Sequence, residues 1–246
     1  MTIARDGLRE IAIATIVCHA PAGAAVWAAL HVSPWFWSAA LPFWAVWLFV
    51  IAFFRDPQRA IPTEPGILVS PADGKVTEVA RLESHDGIDG PALRISIFLS
   101  IFNVHINRVP CAGRVTRIRY QPGEFLDARH PECGIRNEAN TIIIEPEESD
   151  AGPVIVRQVA GLIARRIICR LREGDRVQRG QRLGLIKFGS RTDLIVPVES
   201  GLEPAVRVND VVKGGSTVLM RPGKRSAGNA SSVALRNKTD RVTAAS

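Results

Sequence analysis

Three residues in this chain stand out for chemistry: Ser190 in the pair Gly189-Ser190, His105, and Asp73. A serine hydroxyl that follows glycine can attack the carbonyl before it, because glycine has no Cβ to obstruct the approach. Gly-Ser pairs are common and most mark turns, so this one gains meaning only from its neighbours. His105 lies in Phe102-Asn103-Val104-His105-Ile106-Asn107-Arg108-Val109-Pro110, among apolar and amide residues where burial adjusts imidazole protonation near neutral pH. A lone histidine in such a run also serves as a satisfied structural residue. Asp73 lies in Val69-Ser70-Pro71-Ala72-Asp73-Gly74-Lys75-Val76, where Gly74 permits a tight turn and the plain role of the carboxylate is to cap it.

The elements that must hold these residues are short strands. Residues 173–193 alternate glycine turns with a short apolar stretch, which predicts β structure and places Gly189-Ser190 at the end of a strand over 185–188. Further strands are expected over 75–80, 92–101, 113–120, 141–145, 154–158, 165–171 and 193–197. The 113–120 strand carries basic residues on its outer face, and 146–152 reads as an acidic hairpin or loop. Arg165, Arg166, Arg170 and Arg172 form either a solvated face or one that meets phosphate. Residues 206–220 contain a second glycine-punctuated unit. With no heptads and no long amphipathic helix, the body is all-β-dominated and barrel-sandwich-like, with units of the biotinyl/lipoyl type.

From 11 to 54 there is no Asp, Glu, Lys or Arg. A bilayer crossing takes roughly 20 apolar residues, so this run is long enough for two and predicts an N-terminal hydrophobic helical hairpin, with passes over 11–30 and 35–54. Trp35 and Trp37 fall at the far interface. Arg5 and Arg9 before the run and Arg55 and Arg59 after it lie on one side, and the loop between carries no Lys or Arg, so both ends and the body are expected in the cytoplasm. A cleaved signal peptide fits less well, because the run is too long and basic residues resume beyond it. A buried core hairpin is the alternative within the fold, and a shallow hairpin that does not span the bilayer is the alternative at the membrane. The expected division is a membrane anchor over 1–60, a body over 61–222 and a disordered basic tail over 223–246.

The chain has 246 residues and a formal charge of +7, with a pI near 9.8, which points to an anionic partner such as nucleic acid or acidic lipid. Aromatic and basic residues do not interleave as in a nucleic-acid platform, and Tyr120 is the single tyrosine, so nucleic acid is not expected. Cys18, Cys111, Cys133 and Cys169 are widely spaced, which fits free thiols and no metal framework. The motifs GxGxxG and HExxH and a PLP-lysine environment are absent, and Phe188-Gly189-Ser190-Arg191-Thr192 is not a hydrolase elbow.

Several segments occur in one order: FFRDPQR after the hydrophobic hairpin, SPADGKV, LSIFNVHINRVP, YQPGEF, RNEANTIII, GDRVQRGQRLGLIKFGSRTD and LIVP. Together they resemble the phosphatidylserine decarboxylase proenzymes, in their short, membrane-anchored bacterial form, from the anchor to about Pro222. The resemblance implies self-cleavage between Gly189 and Ser190, giving a β chain of 1–189 and an α chain of 190–246 that pair as a heterodimer. It implies that Ser190 becomes a covalent pyruvoyl cofactor, whose ketone forms a Schiff base with the serine headgroup of an anionic phospholipid at the inner cell membrane. It also implies that His105 donates a proton or positions the carboxylate in decarboxylation, and that Asp73 belongs to the self-cleavage apparatus. Departures from the pattern are Arg108 where many relatives have a second histidine, Asn103 where they have an acid, and Phe-Gly-Ser-Arg in place of Leu-Gly-Ser-Thr. The alternative is a non-enzymatic membrane-anchored barrel-sandwich protein, either a carrier or an adaptor. A carrier would need a modifiable lysine at a hairpin tip, where Lys187 instead ends an apolar strand. An adaptor would place its body outside the membrane and carry long coiled-coil heptads, which the sequence lacks.

Overall fold

The structure is a computed structural model that describes residues 2–128, 130, 132–147, 152–162, 166–187 and 189–223. The tail expected beyond 223, Arg165, Phe188 and most of the acidic 146–152 segment lie outside these residues.

A short strand β1 (Thr2–Ile3) precedes helices α1 (Leu8–His31) and α2 (Phe36–Phe53), and β2 (Arg55–Asp56) then returns to pair with β1. Helices of 24 and 18 residues rise about 36 and 27 Å, against roughly 30 Å of bilayer hydrocarbon. Only 11% of each apolar window is buried, which does not fit a core hairpin and suits association with a membrane. The helices touch through the Trp47 Nε1–H, which donates to Thr15 Oγ1 at 3.0 Å. Pro21 and Pro42 lie inside their helices without ending them.

The body is strands. In chain order they are β3 (Leu68–Val69), β4 (Gly74–Leu82), β5 (Ala92–Leu99), β6 (Ile106–Arg108) and β7 (Gly113–Gln121). After the single turn α3 (Cys133–Arg136) come β8 (Ala139–Pro146), β9 (Val154–Ala160), β10 (Ile167–Cys169), β11 (Arg176–Val177) and β12 (Arg182–Ile186). The last are β13 (Ser190–Pro197), β14 (Leu202–Pro204), β15 (Val211–Val212) and β16 (Val218–Pro222). Eight of them form one curled antiparallel sheet in the order β11-β7-β8-β9-β13-β5-β4-β15.

This sheet is quasi-symmetric about its central β9–β13 pair. On each side the outer long strand, β7 or β4, carries a bulge near its start and meets a two-residue strand there. Each glycine-punctuated unit contributes the middle strand, β12 or β16, of a three-stranded sheet, β10-β12-β6 or β14-β16-β3. Ile95, Ile97, Val156 and Leu194 of the large sheet pack with Leu183, Leu219 and Met220 of the small ones in one core. Alternation decides the facing: Val115 is buried and Arg114 exposed, because successive residues point to opposite sides.

Two expectations are corrected in detail. Ser190 does not end the strand before it: β12 stops at Ile186 and Ser190 opens β13. The expected 165–171 strand is confined to Ile167–Cys169 among the described residues, and Arg170 beside it pairs with Asp6.

Candidate active site

Ser190 sits inside the sheet, with Leu99 of β5 opposite it on one side and Ala160 of β9 on the other. It is fully buried, yet its Oγ has no hydrogen-bond partner among the described residues. A buried hydroxyl left unpaired costs free energy, so such a group is informative. Gly189 before it has φ +60°, the left-handed region that suits glycine, and this backbone reversal separates Ser190 from the preceding strand. Gly161, just past β9, closes on the same peptide: a Cβ added there would lie 2.2 Å from the Gly189 carbonyl oxygen.

His105 precedes β6, whose Ile106 pairs with Leu185 of β12, and this register brings the ring to Gly189. The Gly189 N–H donates to His105 Nε2 at 3.3 Å, while Nδ1 lies 3.0 Å from the Asn103 carbonyl oxygen. A carbonyl only accepts, so Nδ1 carries the proton and Nε2 keeps its lone pair. Phe53, the last residue of α2, lies over the ring at 4.3 Å. Burial, above all, pulls His105 down from 6.5 to about 4; its bond to Asn103 opposes the shift and nearby Arg55 adds to it. The imidazole is therefore neutral at pH 7, with its basic nitrogen at the Gly189 peptide.

The sign of that shift sets a stability profile. The folded chain resists protonation at His105 while the unfolded chain accepts it below 6.5. The contribution is complete above pH 6.5 and declines on acidification towards about 4, by on the order of 3 kcal/mol in all. Denaturant unfolding at successive pH values should show this slope, reduced in His105→Gln. An identical slope in the variant would assign the acid sensitivity elsewhere.

Asp73 is placed differently. It is 9% exposed, in the turn before β4, and both carboxylate oxygens are engaged. Oδ1 accepts from the Gly214 N–H at 2.8 Å and Oδ2 from Arg59 Nη2 at 2.6 Å. Burial pushes its carboxyl up, against the opposing pull of Gly214 and Arg59. It makes no hydrogen bond to Ser190 or His105. The Asp73 turn reaches β13 indirectly, because Asn107 Nδ2 donates to both the Pro71 carbonyl (3.3 Å) and Thr192 Oγ1 (3.2 Å). Gln158 and Asn140 extend this buried amide chain across β9 and β8.

The departures from the family pattern have structural partners. Arg108 donates to Asp56 Oδ1 at 2.5 Å and to the Pro57 and Gly180 carbonyls, clamping the chain as it leaves α2. Asn103 Oδ1 accepts from the backbone N–H and the hydroxyl of Ser100, which sets the turn that presents its own carbonyl to His105. Arg191 forms a two-bond pair with Asp193. Lys187 pairs with Glu10 and is 12% exposed, which does not suit a carrier lysine.

A cavity of about 370 Å³ opens beside Gly189, lined also by Phe98, Ser100, Ile101, Asp127, Ala128 and Leu162. Sequence reasoning missed Gly161, Arg59 and the Asn107–Thr192 contact. The Gly-Leu pair directly after an apolar strand was the available signal for the first; nothing local marks the other two.

The model of the family described as phosphatidylserine decarboxylase matches residues 46–220. Curated relatives of the chain carry the name phosphatidylserine decarboxylase proenzyme. The one from Rhodopirellula baltica is 44% identical over 217 residues, covering 88% of this chain and 87% of the relative. That from Cupriavidus metallidurans is 44% identical over 218 residues, covering 88% and 94%. The Desulfotalea psychrophila protein is 46% identical over 171 residues, covering 70% and 78%.

Proposed function

The chain belongs to the phosphatidylserine decarboxylase family, and from that premise we propose that it converts phosphatidylserine to phosphatidylethanolamine and carbon dioxide, after cutting itself between Gly189 and Ser190. The observation that carries the proposal is the buried, unpaired Ser190 Oγ next to a left-handed Gly189 whose N–H rests on His105. Ser190 Oγ attacks the Gly189 carbonyl carbon and gives its proton to a base. The peptide C–N bond breaks and the Ser190 nitrogen takes up a proton, leaving an ester. Loss of the Ser190 Cα proton then breaks the Cβ–O bond, which frees a carboxylate at Gly189 and leaves dehydroalanine. Hydrolysis consumes one water and releases ammonia, so that the α chain 190–246 begins with a pyruvoyl group and stays paired with the β chain 1–189. That ketone supplies an electron sink for the pair left behind when carbon dioxide departs.

His105 serves both stages in this reading. Neutral in the uncut chain, its Nε2 keeps a lone pair that holds the Gly189 N–H, and it takes the serine proton only once that bond is released. After the cut, a carboxylate at Gly189 stands beside the ring and favours the imidazolium, which suits a proton donor in decarboxylation. Asp73 acts in self-cleavage as a positioning group, with Arg59 and Gly214 holding its turn and Asn107 passing that position to Thr192.

The 1–60 segment anchors the 61–222 body on the cytoplasmic side of the inner cell membrane, which the arginines flanking the hairpin support. The reactive cavity faces the same side: exposed Leu162 is on its wall, and Phe102, next to its Ile101, packs against Phe49 of α2 at 6.0 Å. A lipid headgroup can enter from there while its chains stay in the bilayer. Phosphatidylserine in mixed micelles should yield equal amounts of phosphatidylethanolamine and carbon dioxide with the wild type and none with Ser190→Ala; turnover by that variant would refute the proposal.

Gly161 offers a test away from the reacting atoms. A methyl group at that position meets backbone, which cannot step aside, so Gly161→Ala must displace the scissile carbonyl. Misplacement on that scale is expected to slow self-cleavage about a hundredfold, seen as accumulated uncut chain in a time course. Cleavage at the wild-type rate would show that the close approach has no part in the reaction.

A further inference from the structure

Arg191, the residue that follows the nucleophile, points away from the core into a second compartment. A cavity of about 470 Å³ lies on the polar face of the large sheet, and Ala128 lines both it and the cavity at Gly189. Arg94 of β5, Arg157 of β9 and Arg191 of β13 converge there with two carboxylates, Glu78 and Asp193. Arg191 takes both Asp193 oxygens, at 2.7 and 3.2 Å, and Arg94 pairs with Glu78 at 2.8 Å. Arg157 stands directly opposite Asp193 in the strand register, yet has no ion pair and no side-chain hydrogen bond with any described residue. Its Nε is buried without a partner, and so is that of Arg94.

A guanidinium cannot shed its proton to relieve burial. The carboxylate nearest Arg157, Asp193, already gives both its oxygens to Arg191, so the half-buried Arg157 fork is left without hydrogen-bond acceptors among the described residues. Burial is also the largest influence on Arg157, pulling its proton affinity down; Asp193 opposes that pull, and Arg191 and Arg94 add to it. The donor set matches an oxyanion: forked N–H groups suit the oxygens of a phosphate or carboxylate.

We propose that this compartment is an oxyanion-binding site in which Arg157 supplies the unmatched charge, with Arg94 and Arg191 beside it, for a phosphate-type ligand. Such an anion comes either from free phosphate or from the headgroup of a phospholipid that reaches past Gly189. The proposal does not depend on decarboxylation, because the site is complete in the uncut chain.

The test uses full-length Ser190→Ala protein in detergent micelles at fixed ionic strength, titrated calorimetrically with inorganic phosphate and then with glycerophosphoserine. Phosphate is expected to bind and to raise the thermal midpoint. Arg157→Gln should weaken binding at least about tenfold and abolish that rise. In phosphate-free buffer the same variant should have a midpoint equal to or above that of its parent, since removing an unpaired buried charge relieves a cost; an arginine kept for structure would give a fall. Arg221→Gln, on an exposed side chain, serves as the charge control. Displacement of phosphate by glycerophosphoserine identifies the headgroup as an occupant, and binding of phosphate alone identifies a free anion; both support the site. No phosphate binding, or equal binding with and without Arg157, overturns it.

Discussion

Ser190→Ala is expected to give one unbroken chain with no decarboxylase activity, where the wild type gives two chains. Intact-mass analysis should find 1–189 and 190–246 in the wild type, the latter blocked at its N-terminus by a ketone that reacts with hydrazine. The effect is all-or-none, because alanine has no oxygen to attack the Gly189 carbonyl. Misfolding is a poor rival explanation for this variant. The hydroxyl makes no hydrogen bond with a described residue, so its loss leaves none of them unsatisfied, and the methyl group occupies space the serine already filled. A fully cleaved Ser190→Ala chain would refute the serine mechanism. A wild type that stays whole and yet releases carbon dioxide would do so equally.

His105→Ala should reduce turnover by roughly 10²- to 10⁴-fold, the usual worth of a positioned proton-transfer group. Two stages are separable by measurement: chain cleavage by mass, and decarboxylation by carbon dioxide release from whatever fraction has been cut. Alanine also empties the space beneath Phe53 and leaves the Gly189 N–H without its acceptor. His105→Gln is the better-behaved companion, since its amide oxygen still accepts a hydrogen bond but does not exchange protons near neutral pH. Both variants should show a loss of this size. A folded His105→Gln protein with full turnover would remove His105 from the chemistry and leave it a structural residue, the plain alternative for a histidine in an apolar run.

Much of the site was legible in the chain because the signals are local. A charge-free run of that length has few uses besides membrane helices, and β-rich stretches between Gly and Pro have few besides strands. The Gly-Ser pair is a contiguous motif, and the order of the family segments marked His105 and Asp73. Arg108 and Asn103 were legible only as departures. Their partners, Asp56 on one side and Ser100 on the other, show that each holds a piece of backbone.

By itself, then, the amino-acid order determined the apolar hairpin, the strand content, the Gly189-Ser190 pair proposed for cleavage and the family. Tertiary structure alone decided which of these residues meet. Antiparallel register sets β9 beside β13, which is why Gly161 abuts the Gly189 carbonyl although no pattern links them. It sets β6 beside β12, which brings His105 to Gly189 and the end of α2 onto His105. It also spends both oxygens of Asp73 on Arg59 and Gly214, away from the serine. The physical reason is that periodicity and turn chemistry report interactions within a few residues, whereas contacts across a sheet depend on how distant strands share one core.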